Sequence, residues 1–146
     1  MKVRFYYDDV NYRINRSTEI KDLIVKVIRS EKKIPGDLCF IFTGDEKIRE
    51  LNVKYLDHDY FTDVIAFDYA ENRNVNGEVY ISIDQVRKNS INYKVSLNNE
   101  VLRVIIHATL HLCGMDDKTV NEKNLMRKME DKWIKKFGFK RNGIQI

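Results

Sequence analysis

The sequence predicts an α+β domain, a small mixed sheet of about four strands packed against helices. Strand-like runs are interspersed with stretches of helical period, and the crossovers are too few and too irregular for a doubly wound sheet. The chain has 146 residues, about one domain's length, enough for one core that buries roughly two-thirds of the unfolded surface. Residues 1–146 therefore read as a single domain. With 43% hydrophobic and 33% charged residues and one proline, the composition excludes disordered and collagen-like classes.

Val3 to Tyr7 reads as the first strand. Ser17 and Thr18 can cap a helix in which Ile20, Leu23, Ile24, Val27 and Ile28 recur at helical spacing. Pro35-Gly36 is expected to break the chain before the buried strand Leu38 to Phe42. Thr43 with Glu46 makes a capping box for a helix through Ile48 and Leu51 to about Tyr55. A loop with His58 follows.

Val64 to Phe67 and the alternating Val79, Ile81 and Ile83 read as two strands of a hairpin-like pair, separated by the polar stretch Glu71 to Gly77. Asp84 can cap a short helix through Val86. Ser96 to Asn99 opens a longer one carrying Val101, Val104, Ile105 and Ala108. Gly114 ends that helix. A second capping box, Thr119 with Glu122, starts a last helix through Met126, Met129, Trp133 and Phe137 to Gly138.

No apolar run approaches the roughly 20 residues that cross a bilayer, and the first residues lack the apolar core of a signal peptide. A cytoplasmic location with no membrane partner is the expectation. Cys39, in an apolar run, and Cys113, beside a histidine motif, suit a reducing compartment as small buried side chains. The 26 basic and 22 acidic residues leave a net charge of +4, compatible with a polyanionic partner but common among soluble proteins.

The chemistry concentrates in His107-Ala108-Thr109-Leu110-His111-Leu112-Cys113-Gly114-Met115-Asp116-Asp117. Residues four apart on a helix are neighbours, so His107 and His111 can aim two imidazoles at one point. Gly114 permits a left-handed turn, after which Asp117 can return an oxygen as third ligand. Two nitrogens and one carboxylate leave a position open, the layout of a catalytic zinc site, and one Zn2+ per chain is expected. Leaving two imidazoles unpaired among Ile105, Ile106, Leu110 and Leu112 would be costly, which favours a metal over a plain core role.

The same ligand spacing occurs in metzincin proteases, but their general base follows the first histidine, and Ala108 stands there. His58, Asp63 and Asp116 are the candidate proton handlers. Lys54, Arg103, Lys118, Lys123 and Arg127 flank the motifs and can either meet phosphates or form solvated helix faces. Two readings stay open on these residues: a metal-dependent hydrolase, and a non-catalytic protein in which the metal is only structural, the latter a ribosome-assembly factor if the resemblance described next holds. Cys113, two residues past His111, points around the helix away from the metal.

The histidine segment resembles the signature of the YbeY family of bacterial endoribonucleases, H-G-x-L-H-L-x-G-Y-D-H. His107, Leu110, His111, Leu112, Gly114 and Asp116 match, whereas Ala108, Met115 and Asp117 replace the family's glycine, tyrosine and third histidine. Leu51-Asn52-x-x-Tyr55, Asp59, Thr62-Asp63-Val64 and Phe67 resemble a second family segment, with Leu56 in place of an arginine and Ala66 of a serine. Gly77-Glu78-Val79 with Ile81-Ser82 resembles a third. The resemblance implies an α+β fold and single-strand-directed endoribonuclease activity in ribosomal RNA maturation, with RNA and the small ribosomal subunit as partners. It also implies that Thr62 to Phe67 line a cleft beside the metal.

Overall fold

A computed structural model describes residues 2–56, 62–138, 140–141 and 144–145. The described elements run β1 (Lys2–Tyr7), α1 (Ser17–Ser30), β2 (Ile34–Thr43), α2 (Asp45–Leu51), a π-helical turn (Asn52–Leu56), β3 (Val64–Asp68), β4 (Asn74–Ser82), α3 (Ile83–Tyr93), α4 (Leu97–Leu112) and α5 (Val120–Phe137). A two-stranded ribbon of β5 (Lys140–Arg141) and β6 (Ile144–Gln145) ends the chain. The main sheet has four strands in the order β1-β2-β4-β3, with β1, β2 and β4 parallel and β3 antiparallel to β4. The expected α+β class and the hairpin-like pair are both present.

The apolar stripe of α1, Ile20 to Ile28, packs with α4 on one face of the sheet, over Phe40, Phe42, Val79 and Ile81. On the other face Ile48 and Leu51 of α2 meet Ile65, Phe67 and Tyr80. Alternation along β3 serves both layers: Val64 faces the main core and Ile65 the smaller one. Gly77 of β4 admits the end of α4. A Cβ there would lie 3.2 Å from the Leu112 side chain and 2.7 Å from the Phe67 carbonyl oxygen.

Several local expectations are corrected. Ser17 and Thr18 lie inside α1, whose N-cap is Arg16 in the left-handed region. The guanidinium of Arg16 stacks 4.0 Å from the Phe137 ring and donates to the Gly138 carbonyl at 3.3 Å, so tertiary docking on the end of α5 sets that start. Pro35 and Gly36 do not end an element. They lie within β2 at an irregularity of its pairing with β4, before the pairing with β1 begins at Asp37.

The Thr43–Glu46 capping box does not form. Thr43 is buried at the end of β2, and Asp84 accepts from the Asp45 backbone N–H at 3.0 Å instead. Asp84 in turn does not cap its own helix: Ser82 does, accepting from Gln85 N–H at 3.2 Å. Ile83 accordingly starts α3 instead of extending β4, and α3 runs to Tyr93, well past Val86. The Ser96 cap and the Thr119–Glu122 box form as expected.

Candidate metal centre and its cleft

Helix α4 carries His107 and His111 one turn apart, their ring centroids 4.7 Å from each other. Gly114, at φ 102°, turns the chain back, a conformation that favours glycine. Met115 N–H donates to Leu110 O at 3.0 Å and Gly114 N–H to His111 O at 2.9 Å, the paired bonds of a Schellman motif. Thr119 and Glu122 then lock the start of α5 reciprocally. The bridge holding Asp117 is thus fastened at both ends.

That bridge brings Asp117 Oδ2 to 3.4 Å from His107 Nε2 and Oδ1 to 3.3 Å from His111 Nε2. One donor atom from each residue lies within 4.8 Å of the other two. Tetrahedral ligands at about 2.1 Å from zinc stand about 3.4 Å apart, so the spacing fits such an ion. The three residues named from the sequence are brought together.

Sequence reasoning missed Glu130. Its Oε2 lies 2.7 Å from His107 Nδ1, and its Oε1 accepts from Arg103 at 3.0 Å. A carboxylate can only accept, so the imidazole proton sits on Nδ1 and the Nε2 lone pair faces Asp117. Burial pulls the His107 pKa down, but the bond and charge of Glu130, with Asp117 and Asp63, outweigh it and raise the value overall. Glu130 shares the buried side of α5 with Met126, Trp133 and Ile134, so a carboxylate in an apolar stripe was the available signal.

His107 and Asp117 open onto a cleft of about 380 Å³ between α3, α4, α5 and the start of β3. Asp63 and Val64 line it beside His107 and Asp117. Asn89 donates to Asp63 at 3.4 Å, and burial raises the carboxyl's pKa. Asp116 is exposed and does not line the cleft, and His58 lies outside the described residues. Lys123 and Arg127 stand on the cleft wall. Arg103 is engaged by carboxylates, 3.0 Å from Glu130 and 2.6 Å from Asp131. Cys113 points into the core, where burial pushes its thiol up to about 12.

Residues 6–138 match the family model described as endoribonuclease YbeY. The chain is 40% identical over 140 residues to the endoribonuclease YbeY of Flavobacterium psychrophilum, covering 96% of this chain and 99% of that protein. It is 39% identical to that of Parabacteroides distasonis, covering 90% and 93%. The solution structure of TM1509 from Thermotoga maritima superposes with a TM-score of 0.64 at 25% identity, over 93% of this chain and 89% of that one. No described helix is long and apolar enough to cross a membrane. With the histidine helix, its glycine turn and the strand beside them in the expected order, the chain belongs to the endoribonuclease YbeY family.

Proposed function

We propose that residues 1–146 form one metal-dependent endoribonuclease domain that cleaves single-stranded segments of ribosomal RNA during rRNA maturation in the cytoplasm, on or near the small ribosomal subunit. One Zn2+ is held by His107, His111 and Asp117. The observation that carries this reading is the convergence of both Nε2 atoms on Asp117 while Nδ1 of His107 is tied to Glu130. The family's printed description supplies the reaction class.

When bound there, zinc supplies Lewis-acid stabilisation of charge on the phosphodiester and lowers the pKa of water. The protein's own groups divide the remaining work. Glu130 fixes the tautomer and orientation of His107. Lys123 and Arg127, on the wall of the cleft, attract and orient the phosphates. Asp63, on the cleft wall beside His107 and Asp117, is placed to exchange a proton with a sugar or leaving oxygen. His58, outside the described residues, stays a candidate for proton handling, whereas Asp116, exposed and off the cleft, is left without that role.

The test is elemental analysis of the purified chain together with cleavage of an unstructured RNA by wild type and His111→Ala. About one ion per chain is expected, with metal retention and cleavage both lost in the variant. Absence of metal binding below millimolar concentrations, or full cleavage by His111→Ala, would overturn the proposal.

A further inference from the structure

The cleft continues past the ligands. Glu100, Arg103, His107 and His111 recur along α4 at intervals of three and four residues and so form a line on one face. Glu100 lies two turns before His107, about 10 Å along the helix axis. That is too far to reach a phosphodiester held at the ligands. It is within reach of a neighbouring nucleotide.

Glu100 is 3% exposed, and its Oε1 is buried without a hydrogen-bond partner. Arg103 Nε stands 3.8 Å away, while the rest of that guanidinium is bound to Glu130 and Asp131. A buried carboxyl oxygen without a hydrogen bond is costly even with a cation 3.8 Å away, so an incoming donor there is rewarded. On the same cleft, Tyr93 at the end of α3 is 54% exposed, and the Arg127 guanidinium lies 5.7 Å from its ring centroid. A half-exposed aromatic ring with a guanidinium over it offers a stacking surface for a base.

We propose that this end of the cleft is a nucleobase subsite. A base next to the cleaved phosphodiester stacks on Tyr93 beside Arg127 and gives an exocyclic amine to the Glu100 carboxyl. The proposal rests on the endoribonuclease reading and adds a preference to it. At position 4 cytosine supplies the donor, whereas uracil, nearly the same shape, presents a carbonyl oxygen there and leaves the Glu100 oxygen without a hydrogen bond. Amino-bearing bases are therefore favoured over uracil at the flanking position.

The experiment is calorimetric binding of CMP and UMP to the purified protein at pH 8, where a carboxyl titrating at about 7 is ionised, with RNA cleavage measured in parallel. CMP should bind about tenfold more tightly than UMP, and Glu100→Gln should bring the two within about twofold, because an amide serves either base. Tyr93→Ala should weaken both nucleotides by the same factor. Equal binding by wild type, no detectable binding of either nucleotide, or discrimination retained in Glu100→Gln would overturn the subsite. RNA cleavage with base-indifferent binding removes the subsite and leaves the function. Discrimination without RNA cleavage removes the function and leaves a nucleotide-binding subsite.

Discussion

His107 Nδ1–H donates to the Glu130 carboxylate across 2.7 Å, and this bond between α4 and α5 turns Nε2 toward Asp117. The same carboxylate holds Arg103 at 3.0 Å, so it serves the site and the helix pair together. A ligand's outer partner typically changes metal affinity by about 10–100-fold. Glu130→Gln keeps an acceptor but loses the charge, and it should fall at the low end of that range. Glu130→Ala should fall at the high end and also destabilise the fold. Competition with a metal chelator reads the affinities, and wild-type affinity in both variants would remove Glu130 from the site.

The parts of this arrangement that were legible in the sequence are the local ones. His107, His111, Gly114 and Asp117 lie on one helix and its exit turn, where spacing alone dictates proximity. Thr119 with Glu122 was legible for the same reason, since both partners of the box lie in one turn. Thr43 with Glu46 has the same pattern and fails, because Asp84, 39 residues away, reaches the Asp45 N–H from another element. Arg16 likewise sets the start of α1 through its contacts with Phe137 and Gly138. Glu130 and Glu100 belong to this second kind. Each is a charge on the buried side of an amphipathic helix, but only the packing of α5 on α4 shows what it meets.

Glu100 has a consequence for stability against pH. Burial is the main cause that lifts its carboxyl from the usual 4.5 to about 7, partly offset by Arg103. A pKa higher in the folded state stabilises the fold fully below the unfolded value and loses that contribution as pH rises through the folded one. His107, also raised, has the same sign. At pH 8 the ionised Glu100 therefore costs up to about 3 kcal/mol relative to the protonated form, from the 4.5 to 7 displacement. Metal-free Glu100→Gln should melt above wild type at pH 8, and the gap should narrow by pH 5. A constant gap at both values would show that the carboxyl does not titrate in this window.

Gly114 separates conformational cost from steric cost. A Cβ added there meets nothing within 4 Å, yet φ is 102°, where side chains are strained. Gly114→Ala should lose about 1–2 kcal/mol of stability, and Gly114→Asn less, because asparagine tolerates left-handed backbone. Metal affinity should fall in the same order, since the turn also aims the bridge that carries Asp117. Chemical denaturation with and without metal measures both effects. Equal stability of the alanine and asparagine variants would mean that the turn relaxes at no cost.

Asp117 is the position at which this chain departs from the three-histidine pattern it otherwise resembles, and its neighbour Asp116 provides a built-in control. Asp117 is partly buried and holds its oxygens 3.3 and 3.4 Å from the two Nε2 atoms, whereas Asp116 is exposed. Removing Asp117 would leave two imidazoles to hold the ion, below the three protein ligands usual for catalytic zinc. Asp117→Ala should therefore lower zinc affinity sharply and abolish RNA cleavage, while Asp116→Ala changes either by less than about threefold. Asp117→His restores an all-imidazole set. It should keep zinc and, by exchanging an anionic ligand for a neutral one, leave a stronger Lewis acid, so that cleavage persists to lower pH than in wild type. The measurements are zinc titration and a pH profile of cleavage for the three variants. Wild-type zinc affinity in Asp117→Ala, or a larger loss in Asp116→Ala, would reassign the third ligand. An unshifted pH profile in a zinc-loaded Asp117→His protein would instead show that ligand charge does not set the ionisation that limits cleavage.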